Sequence, residues 1–329
     1  MKVLVTGANG FLGSWLCRAL LKEGHQVSAL VRKNSDISEL TGLSIEYVYG
    51  DVTDFSSVLK SIDGVDTVFH LAGVVAYKKS DTPLMEKVNV GGTKNVVDAC
   101  LQKQIPKLVY VSSVVAIGAG FSPTEILDEK SEYNIAHLGL GYFDTKHTAE
   151  KYVLEACKTK GLHAVAVNPA TIYGAGDAKK GSRSNQIKVA RGSVPVYPSG
   201  GVNVVPVQDV VDGILSAWKN GRNGERYILS GENMTIKHVF EIIADEAGVT
   251  APQYKLPNSL FFSLGYLGDV LFKLGLKFPL TSDNAWTATM FHWFSNDKAV
   301  KELGFHPGSA EAAIRQSVQW MKKHGYLEK

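Results

Sequence analysis

The sequence predicts an α/β fold with a doubly wound parallel sheet, followed by a smaller, mostly helical C-terminal part. Short runs rich in β-branched residues alternate with longer helical patterns through the first half of the chain, which implies right-handed βαβ crossovers. Several of these runs are apolar throughout, as is typical of parallel strands covered on both faces. A glycine-rich turn that begins at Gly7 follows the first run directly.

Strands and helices are predicted in strict alternation through this first half. The strand candidates are Lys2–Thr6, Gln26–Val31, Ile45–Tyr49, Thr67–Leu71, Lys107–Ser112 and His163–Val167. The helix candidates are Phe11–Glu23, Ser56–Ser61, Thr82–Gln104 and Tyr142–Lys160.

The pattern loosens in the second half, where a loop rich in Gly, Lys and Ser spans Gly174–Ser184. Apolar residues at helical spacing predict a helix over Gln208–Lys219, and a strand candidate follows at Arg226–Leu229. Thr235 is a suitable N-cap for a helix over Ile236–Ala247, and the remaining residues look mostly helical.

The composition is that of an ordinary globular protein. Of 329 residues, 45% are hydrophobic and 20% are charged, which excludes a disordered, collagen-like or mucin-like chain. Lys and Arg number 35 against 32 Asp and Glu, a net charge of +3. So small a balance gives no general attraction to nucleic acid or anionic lipid, and we expect a small-molecule partner and no nucleic acid.

Cysteine usage and the N-terminus favour a cytoplasmic protein without a metal site. Cys17, Cys100 and Cys157 form no CxxC pair, and no HExxH or comparable zinc-ligand spacing occurs. The apolar start at Met1 is too short for a signal peptide. The longest uncharged apolar stretch, Leu256–Gly268, is shorter than the roughly 18–20 residues of a spanning helix, so no membrane span is expected.

A segment rich in Leu and Phe, Ser259–Phe278, has two interpretations. It could lie in a membrane interface, but Asp269, Lys273 and Lys277 do not form a strongly basic face. We favour the second interpretation, a helix that packs over a substrate pocket, which in turn favours a substrate of low polarity.

The strongest functional signal is the glycine-rich turn, which follows a buried strand and opens an amphipathic helix. Glycine is required where a Cβ would clash or φ is positive, and its small size lets backbone N–H groups approach a pyrophosphate. The helix N-terminus adds partial positive charge. The spacing is GxxGxxG and not the commoner GxGxxG. The predicted dinucleotide-binding residues of the turn are Gly7, Asn9, Gly10, Phe11, Leu12 and Gly13.

The residues after the second strand favour one nicotinamide dinucleotide over the other. An NAD site usually places Asp or Glu here to bind the ribose 2′-hydroxyl. This chain has Val31 followed by Arg32 and Lys33. Because the Arg32 fork can pair with a 2′-phosphate, we predict NADP(H), and the alternative is a solvated basic loop.

Further cofactor contacts are predicted where the third and fourth strands end. Asp51 and Val52 follow the third strand, in a position to touch the adenine. Leu71, Ala72 and Gly73 follow the fourth and are placed to pass beside the cofactor.

Tyr142 and Lys146 form the candidate proton-transfer pair. Residues four apart share one helix face, and a nearby ammonium favours phenolate, which predicts a lowered pKa for Tyr142. Ser113 lies at the carboxyl end of the fifth strand, where ligands bind in open α/β sheets, and could bind a substrate oxygen. A serine there also serves as a helix cap or a core hydroxyl, but with Tyr142 and Lys146 the catalytic role is the better interpretation.

At this point the chain resembles the extended short-chain dehydrogenase/reductases of the epimerase/dehydratase superfamily, and within them the dihydroflavonol-4-reductase-like branch. The motifs that carry the resemblance are Thr6–Gly13, Gly50–Val52, His70–Gly73, Val88–Thr93, Ser113, Tyr142 with Lys146, Asn168–Gly174 and Val205–Val210. The branch is supported by Arg32, Trp293–Ala299 and Leu303–Phe305.

The resemblance implies a Rossmann fold and a carbonyl reductase or alcohol dehydrogenase. Tyr142 would be the general acid in reduction, Lys146 would lower its pKa and bind the nicotinamide ribose, and Ser113 would position the carbonyl. The resemblance adds to the predicted cofactor site Asn89, Val111, Tyr142, Lys146, Pro169, Ala170 and Thr171. It also implies a homodimer formed through the helices Thr82–Gln104 and Tyr142–Lys160.

We therefore expect a dinucleotide-binding domain over residues 1–173 and a substrate-binding region over 174–329, partly interleaved with the sheet at about 202–229. The predicted activity is NADP(H)-dependent reduction of a ketone or aldehyde on a fairly apolar small molecule. A hydroxysteroid-type dehydrogenase is one alternative, and an NADP-sensing binding protein without catalysis is another.

A sugar-nucleotide epimerase is a further alternative. The loop cations Lys179, Lys180 and Arg183 could grip a sugar-nucleotide diphosphate, although a solvated loop is the simpler interpretation. Ser113 is followed by Val114 and Val115 where sugar-nucleotide dehydratases carry an Asp-Glu pair, which argues against dehydration.

Overall fold

A computed structural model describes residues 1–178, 183–276 and 278–328. Its main feature is a seven-stranded parallel sheet in the order β10-β6-β5-β4-β1-β2-β3. The strands of this sheet are β1 Lys2–Thr6, β2 Gln26–Val31, β3 Glu46–Tyr49, β4 Thr67–His70, β5 Lys107–Val111, β6 Ala164–Pro169 and β10 Arg226–Leu229. The predicted doubly wound parallel sheet is confirmed, with strand boundaries within a few residues of those expected from the sequence.

Helices cover both faces of the sheet and continue into the C-terminal part. They are α1 Phe11–Lys22, α2 Phe55–Ser61, α3 Thr82–Met85, α4 Gly92–Lys103, α5 Gly141–Thr159, α6 Ser184–Ala190, α7 Val207–Asn220, α8 Ile236–Ala247, α9 Asn258–Lys273, α10 Ser282–Thr289, α11 Asp297–Leu303 and α12 Ala310–Lys323. Thr235 caps α8 as predicted, since its hydroxyl accepts a hydrogen bond from His238 N at 3.2 Å.

Alternation along each strand divides the core into two layers. On β1, Val3 and Val5 pack with α1 and α7 on one face, while Leu4 packs with α2, α4 and α5 on the other. Both faces are buried, so the strand reads as apolar without interruption. Burial of each such side chain contributes about 1.5–3 kcal/mol, and the two layers together fix the carboxyl edge of the sheet on which the site is built.

The helix predicted over Thr82–Gln104 forms as one helical run, but it is not α-helical throughout. It comprises α3, a π-helical segment at Glu86–Gly91, and α4. A π turn inserts one residue per turn relative to an α-helix and is often found at functional sites. Here it carries Asn89, which is buried.

The expectation that the C-terminal part is mostly helical misses a second sheet. β9 Gly201–Pro206 pairs with β7 Thr171–Tyr173, β11 Glu232–Thr235 and β13 Phe291–His292. A two-stranded sheet of β8 Val196–Tyr197 and β12 Tyr254–Lys255 lies outside it. All but β9 are two to four residues long, too short to show a period of two in the sequence.

The chain crosses from one part to the other more than once. β10 returns to the edge of the main sheet beside β6, after β9 has joined the second sheet. The division at residue 173 remains a prediction. No described helix has the length and apolar character required to cross a bilayer.

Gly13→Ala should destabilise the fold, whereas Gly91→Ala should not. A Cβ on Gly13 would overlap the carbonyl oxygen of Gly7 and crowd Ala8, while the nearest atom to a Cβ on Gly91 is 3.7 Å away. Both glycines have helical backbone conformations. We expect a loss of roughly 1–3 kcal/mol or more for Gly13→Ala and a change within about 1 kcal/mol for Gly91→Ala, measured by urea unfolding. Equal stability of the two variants would show that the turn tolerates a side chain.

Candidate active site

The turn between β1 and α1 brings backbone groups unusually close together. Gly7 has a φ of +69°, and a Cβ there would lie 2.8 Å from Ala72 N. Gly10 is the N-cap of α1 and offers no side-chain cap, so the N–H groups of Phe11 and Leu12 open the helix without one. An uncapped helix N-terminus behind a side-chain-free turn fits the phosphates of a dinucleotide. The neighbouring Asn9 Nδ2 donates to Asp36 O at 2.9 Å, which ties the turn to the loop after β2.

A buried hydrogen-bond chain connects this turn to the end of β4. Thr93 donates to Asn89 O at 2.6 Å, so its oxygen accepts from His70 Nε2 at 3.1 Å. His70 Nδ1 then accepts from the Thr6 hydroxyl at 2.7 Å. The Thr6 oxygen in turn accepts from Leu71 N and Ala72 N. Burial, and secondarily the Lys146 charge, lowers the pKa of His70 to about 3, so the imidazole stays neutral.

Asn89 acts on the loop that carries Gly73. Its side chain accepts from Val74 N at 2.7 Å and donates to Val74 O at 3.0 Å and to Thr145 Oγ1 at 3.1 Å. These contacts occupy both amide hydrogens of Asn89. Its side chain therefore holds the loop after β4 in position against α5. The partly exposed Leu71 and Ala72 and the exposed Gly73 lie along the same loop.

The cations predicted to select the cofactor line a cleft of about 650 Å³ at the ends of β2 and β3. Arg32 and Lys33 are both exposed there. Two carboxylates share the cleft, but Asp51 accepts from Thr53 N and Asp54 caps α2 through Ser56 N. The cleft therefore combines two exposed cations with two carboxylates that accept backbone hydrogen bonds.

Several of the residues predicted to bind the cofactor make backbone hydrogen bonds or pack in the core. Val52 is buried in the core, and its carbonyl accepts from Asn95 Nδ2 at 2.8 Å. Pro169 ends β6, Ala170 N donates to Leu229 O at 3.1 Å, and Thr171 begins β7. These residues lie next to one another where β6 leaves the main sheet.

Tyr142 and Ser113 come together from α5 and the end of β5. Burial raises the pKa of the Tyr142 hydroxyl first and the neighbouring Tyr77 raises it further, whereas hydrogen bonding with Ser113 lowers it. The Tyr77 and Tyr142 rings meet edge to face, with centroids 6.2 Å apart. Together these effects raise the pKa of Tyr142. The prediction from the sequence that this pKa is lowered is therefore wrong for the protein by itself. A neutral phenol suits a proton donor.

Lys146 is held beneath this pair as a buried cation. Its Nζ donates to Val111 O at 3.0 Å and lies 5.1 Å from the centroid of the Tyr110 ring. Burial lowers the pKa of Lys146 to about 8, and the Glu150 carboxylate opposes that shift. The predicted Tyr142–Lys146 pair does share the inner face of α5, but the ammonium charge is directed at β5.

Glu150 is a site residue that the sequence reading missed. It is 2% exposed, pairs with Arg226 Nη1 at 3.0 Å and accepts a hydrogen bond from Asn168 Nδ2. Asn168 Nδ2 also donates to Ser113 O at 3.0 Å. Glu150 thus acts on Lys146 through its charge and on the Ser113 backbone through Asn168. The four-residue spacing Tyr142, Lys146, Glu150 is a signal that could have identified it.

Apolar and aromatic side chains surround the Tyr142 ring. The cluster consists of Val115, Ala119, Tyr133, Ile135, Leu138, Leu140, Tyr142, Phe143, Trp286 and Met290. It combines α5 with the turn after β5 and with α10, so the second part of the chain contributes to it. A substrate that reaches Tyr142 therefore meets mostly apolar surface.

Arg183 takes a different role from either interpretation made from the sequence for the loop cations. Arg183 is buried, its Nε pairs with Asp177 at 3.1 Å, and its guanidinium stacks 3.8 Å above the Tyr173 ring. Arg183 is thus neither solvated nor free to hold a diphosphate. Lys179 and Lys180 lie outside the described residues, as does Lys277. No group of three or more His, Cys, Asp or Glu suited to a metal occurs within the described ranges.

Comparison with known proteins assigns the family. The chain matches the 3-beta hydroxysteroid dehydrogenase/isomerase family over residues 4–233. It belongs to this family of extended short-chain dehydrogenase/reductases. The predicted resemblance is therefore confirmed, and the chain is a member of a family of oxidoreductases and epimerases.

Two curated relatives match nearly the whole chain. A Synechocystis sp. protein named "Putative dihydroflavonol 4-reductase" is 33% identical over 98% of this chain and 95% of its own length. "Sterol demethylase protein B" of Methylococcus capsulatus is 31% identical over 99% of this chain and all of its own. The first agrees with the branch expected from the sequence.

Two solved structures show the same fold. The crystal structure of gox2253 has a TM-score of 0.88 at 34% identity and covers 99% of both chains. Thermus thermophilus UDP-glucose 4-epimerase, solved with NAD, has a TM-score of 0.78 at 22% identity, over 98% of this chain and 99% of its own. A nicotinamide dinucleotide is the typical cofactor of the family.

Glu150→Gln should change the pH dependence of catalysis and also lower stability, because Arg226 loses its charged partner. Removing the carboxylate charge lowers the pKa of Lys146 further, so the ammonium is lost at a lower pH. We expect activity to fall by on the order of tenfold above pH 8 and to persist at lower pH, measured as a kcat/KM profile. Glu155→Gln, an exposed carboxylate on the same helix, is the control. A loss of equal size at every pH would mean that Glu150 only supports the structure.

Proposed function

We propose that this protein is an NADPH-dependent reductase of a ketone or aldehyde on a fairly apolar small molecule. The observation that carries the proposal is the meeting of Tyr142 and Ser113 at the carboxyl edge of the sheet, beside an apolar cluster and one helical turn from the buried Lys146. A neutral phenol, a second hydroxyl and a buried ammonium together can orient a carbonyl and deliver a proton to its oxygen.

Each of the three residues has its own role in the proposed reaction. Ser113 donates to the carbonyl oxygen and fixes its distance from Tyr142. Tyr142 donates its proton to that oxygen as negative charge develops there. Lys146, held by Val111 O, stabilises the phenolate that remains. When bound, the nicotinamide supplies the hydride for the carbonyl carbon.

The cofactor preference rests on the basic cleft. The glycine-rich turn accommodates either dinucleotide, but Arg32 and Lys33 offer two exposed cations where NAD-binding sites usually have an acid. The nearby Asp51 and Asp54 are engaged by backbone N–H groups. These contacts support NADP(H) as the cofactor.

The substrate class rests on the apolar cluster. The names of the two curated relatives refer to a flavonoid and a sterol, both largely apolar polycyclic molecules. The family match supports a second candidate, oxidation of a hydroxysteroid-like alcohol with NADP. Catalysis on a sugar nucleotide is disfavoured because Arg183 is committed to Asp177.

Tyr142→Phe should abolish most turnover without loss of cofactor binding. The substitution removes the proton donor and keeps the ring, so we expect kcat to fall roughly 10²–10⁴-fold. Turnover is measured by nicotinamide absorbance with a panel of flavonoid, steroid and aliphatic ketones, and binding by NADPH fluorescence. Tyr152→Phe is the control, since its hydroxyl lies on the same helix but donates to Asp98. Persistent turnover in Tyr142→Phe would disprove the assignment of the donor.

Arg32→Gln should weaken NADPH binding and leave NADH binding nearly unchanged. A charge-assisted hydrogen bond contributes about 1.5–3 kcal/mol, so the Kd for NADPH should rise on the order of 10–100-fold. Isothermal titration with each dinucleotide gives the comparison. Arg191→Gln, an exposed arginine outside the cleft, is the control. Equal weakening for both dinucleotides would contradict 2′-phosphate recognition.

A further inference from the structure

His292 of β13 has one ring nitrogen that makes no hydrogen bond. Its Nε2 donates to Thr287 O at 3.1 Å, and because a carbonyl oxygen can only accept, Nε2 carries a hydrogen. Its Nδ1 is buried and has no partner within the described ranges. Burial lowers the pKa of His292 to about 4, against the opposing effect of the Thr287 carbonyl. The imidazole is therefore neutral, and Nδ1 keeps a lone pair that can accept a hydrogen bond.

The His292 ring lies on the side of β13 that faces the apolar cluster of the candidate site. Side chains alternate along a strand. On one side of this strand Phe291 packs on Trp293, with ring centroids 5.0 Å apart. The other side carries Met290 and His292, and Met290 belongs to the cluster. The ring of Phe143, another member, lies 5.7 Å from the His292 ring between centroids.

Two ring contacts in series connect His292 with the candidate proton donor. The Phe143 ring meets His292 on one side and lies 6.2 Å from the Tyr142 ring on another. Helix α10 contacts both ends of this series, because Trp286 belongs to the cluster around Tyr142 and Thr287 accepts the Nε2 bond. A substrate whose carbonyl lies at Tyr142 and whose body fills the cluster therefore reaches the neighbourhood of His292.

The chemistry of Nδ1 selects a neutral hydrogen-bond donor. A buried acceptor without a donor destabilises the folded state, so such atoms usually meet a water molecule or a ligand. Among the described residues no charged side chain contributes to the pKa of His292, so an ammonium group would lose its hydration there without a counter-charge. A carbonyl or ether oxygen could not donate to it. An alcohol or phenol O–H meets both conditions.

We propose that His292 Nδ1 accepts a hydrogen bond from a hydroxyl group of the substrate, at a distance from the reacting carbonyl. This inference rests on the proposed function and narrows its substrate class to apolar ketones or aldehydes that carry a hydroxyl. His292 as a whole is partly exposed, whereas protein atoms cover Nδ1, so a neighbouring side chain shifts when the hydroxyl enters. Apolar packing accepts such small shifts at modest cost.

His292→Leu and His292→Asn form a matched pair that tests this role. Both variants lose the bond to Thr287 O and have the same branched shape, but only asparagine keeps an acceptor near the position of Nδ1. Isothermal titration compares flavanone and tetralone with their monohydroxy derivatives, each added to protein saturated with oxidised dinucleotide. In the unaltered chain we expect one derivative to bind at least about tenfold more tightly than its parent. The leucine variant should lose this preference, and the asparagine variant should regain part of it.

Nitrogen-15 NMR of the histidine side chains observes Nδ1 directly and does not depend on turnover. The resonances of His292 are those that disappear in His292→Leu. An imidazole nitrogen without a hydrogen resonates far downfield and moves upfield when it accepts a hydrogen bond. We expect this movement with the preferred hydroxy derivative and not with its parent. His163 is the control, because its Nδ1 lies 2.7 Å from Pro106 O and should not respond.

Each outcome supports or rejects the role of His292. The proposal is wrong if no hydroxy derivative binds more tightly than its parent, or if folded His292→Leu, checked by circular dichroism, keeps the preference. An Nδ1 resonance that stays in place in the complex would also overturn it and assign the position to a bound water. NADPH turnover of the parent ketones reports on the proposed function alone. A shifted resonance without turnover would keep the hydroxyl site and reject the reaction, and turnover without hydroxyl preference would do the reverse.

Discussion

The burial of one ammonium group links the fold of this protein to its chemistry. Lys146 is 6% exposed, and a charge in that position persists only when neighbouring groups replace its hydration. Val111 O, the face of Tyr110 and the nearby Glu150 do so. Each comes from an element of the first half, so α5 must pack on β5 with Tyr142 one turn away. The geometry of the candidate donor follows from this packing.

Glu150 makes that arrangement dependent on the distant end of the sheet. Its partner Arg226 belongs to β10, the strand that returns to the sheet after the chain has visited the second sheet. Arg226 also donates to the carbonyl groups of Glu129 and Ser131. A buried ion pair contributes little net stability by itself but penalises the loss of either partner. Correct docking of β10 is therefore coupled to the charge beside Lys146.

The sequence predicted the cofactor half of the molecule more completely than the substrate half, for a physical reason. β1, β2 and β10 begin and end at the predicted residues because buried parallel strands must be apolar throughout. The short strands of the second sheet and the π turn at Asn89 depend on contacts between distant segments. Such contacts leave no local period in the sequence.

The same distinction applies within the candidate site. Tyr142, Lys146 and Ser113 could be identified because helix spacing and strand ends are local features. The direction of the Tyr142 pKa could not, since it is set by burial under Tyr77 and the apolar cluster. Arg183 shows the converse, because a loop cation that looks solvated in the sequence is paired with Asp177 in the fold. A titratable residue can thus be identified as a site candidate from the sequence, but its protonation and its partners depend on how it is buried in the fold.

The two halves of the site meet opposite requirements. Around the glycine-rich turn, Thr6, His70 and Thr93 satisfy one another in a buried chain that allows little movement. Around Tyr142 the contacts are mainly apolar and aromatic, and such surfaces accept different shapes at modest cost. The buried hydrogen bonds thus hold the polar side of the site in one geometry, whereas the apolar surface beside Tyr142 is free of such directional contacts. Because Trp286 of α10 belongs to that surface, a substitution there would alter its apolar contacts without touching the buried hydrogen-bond chain.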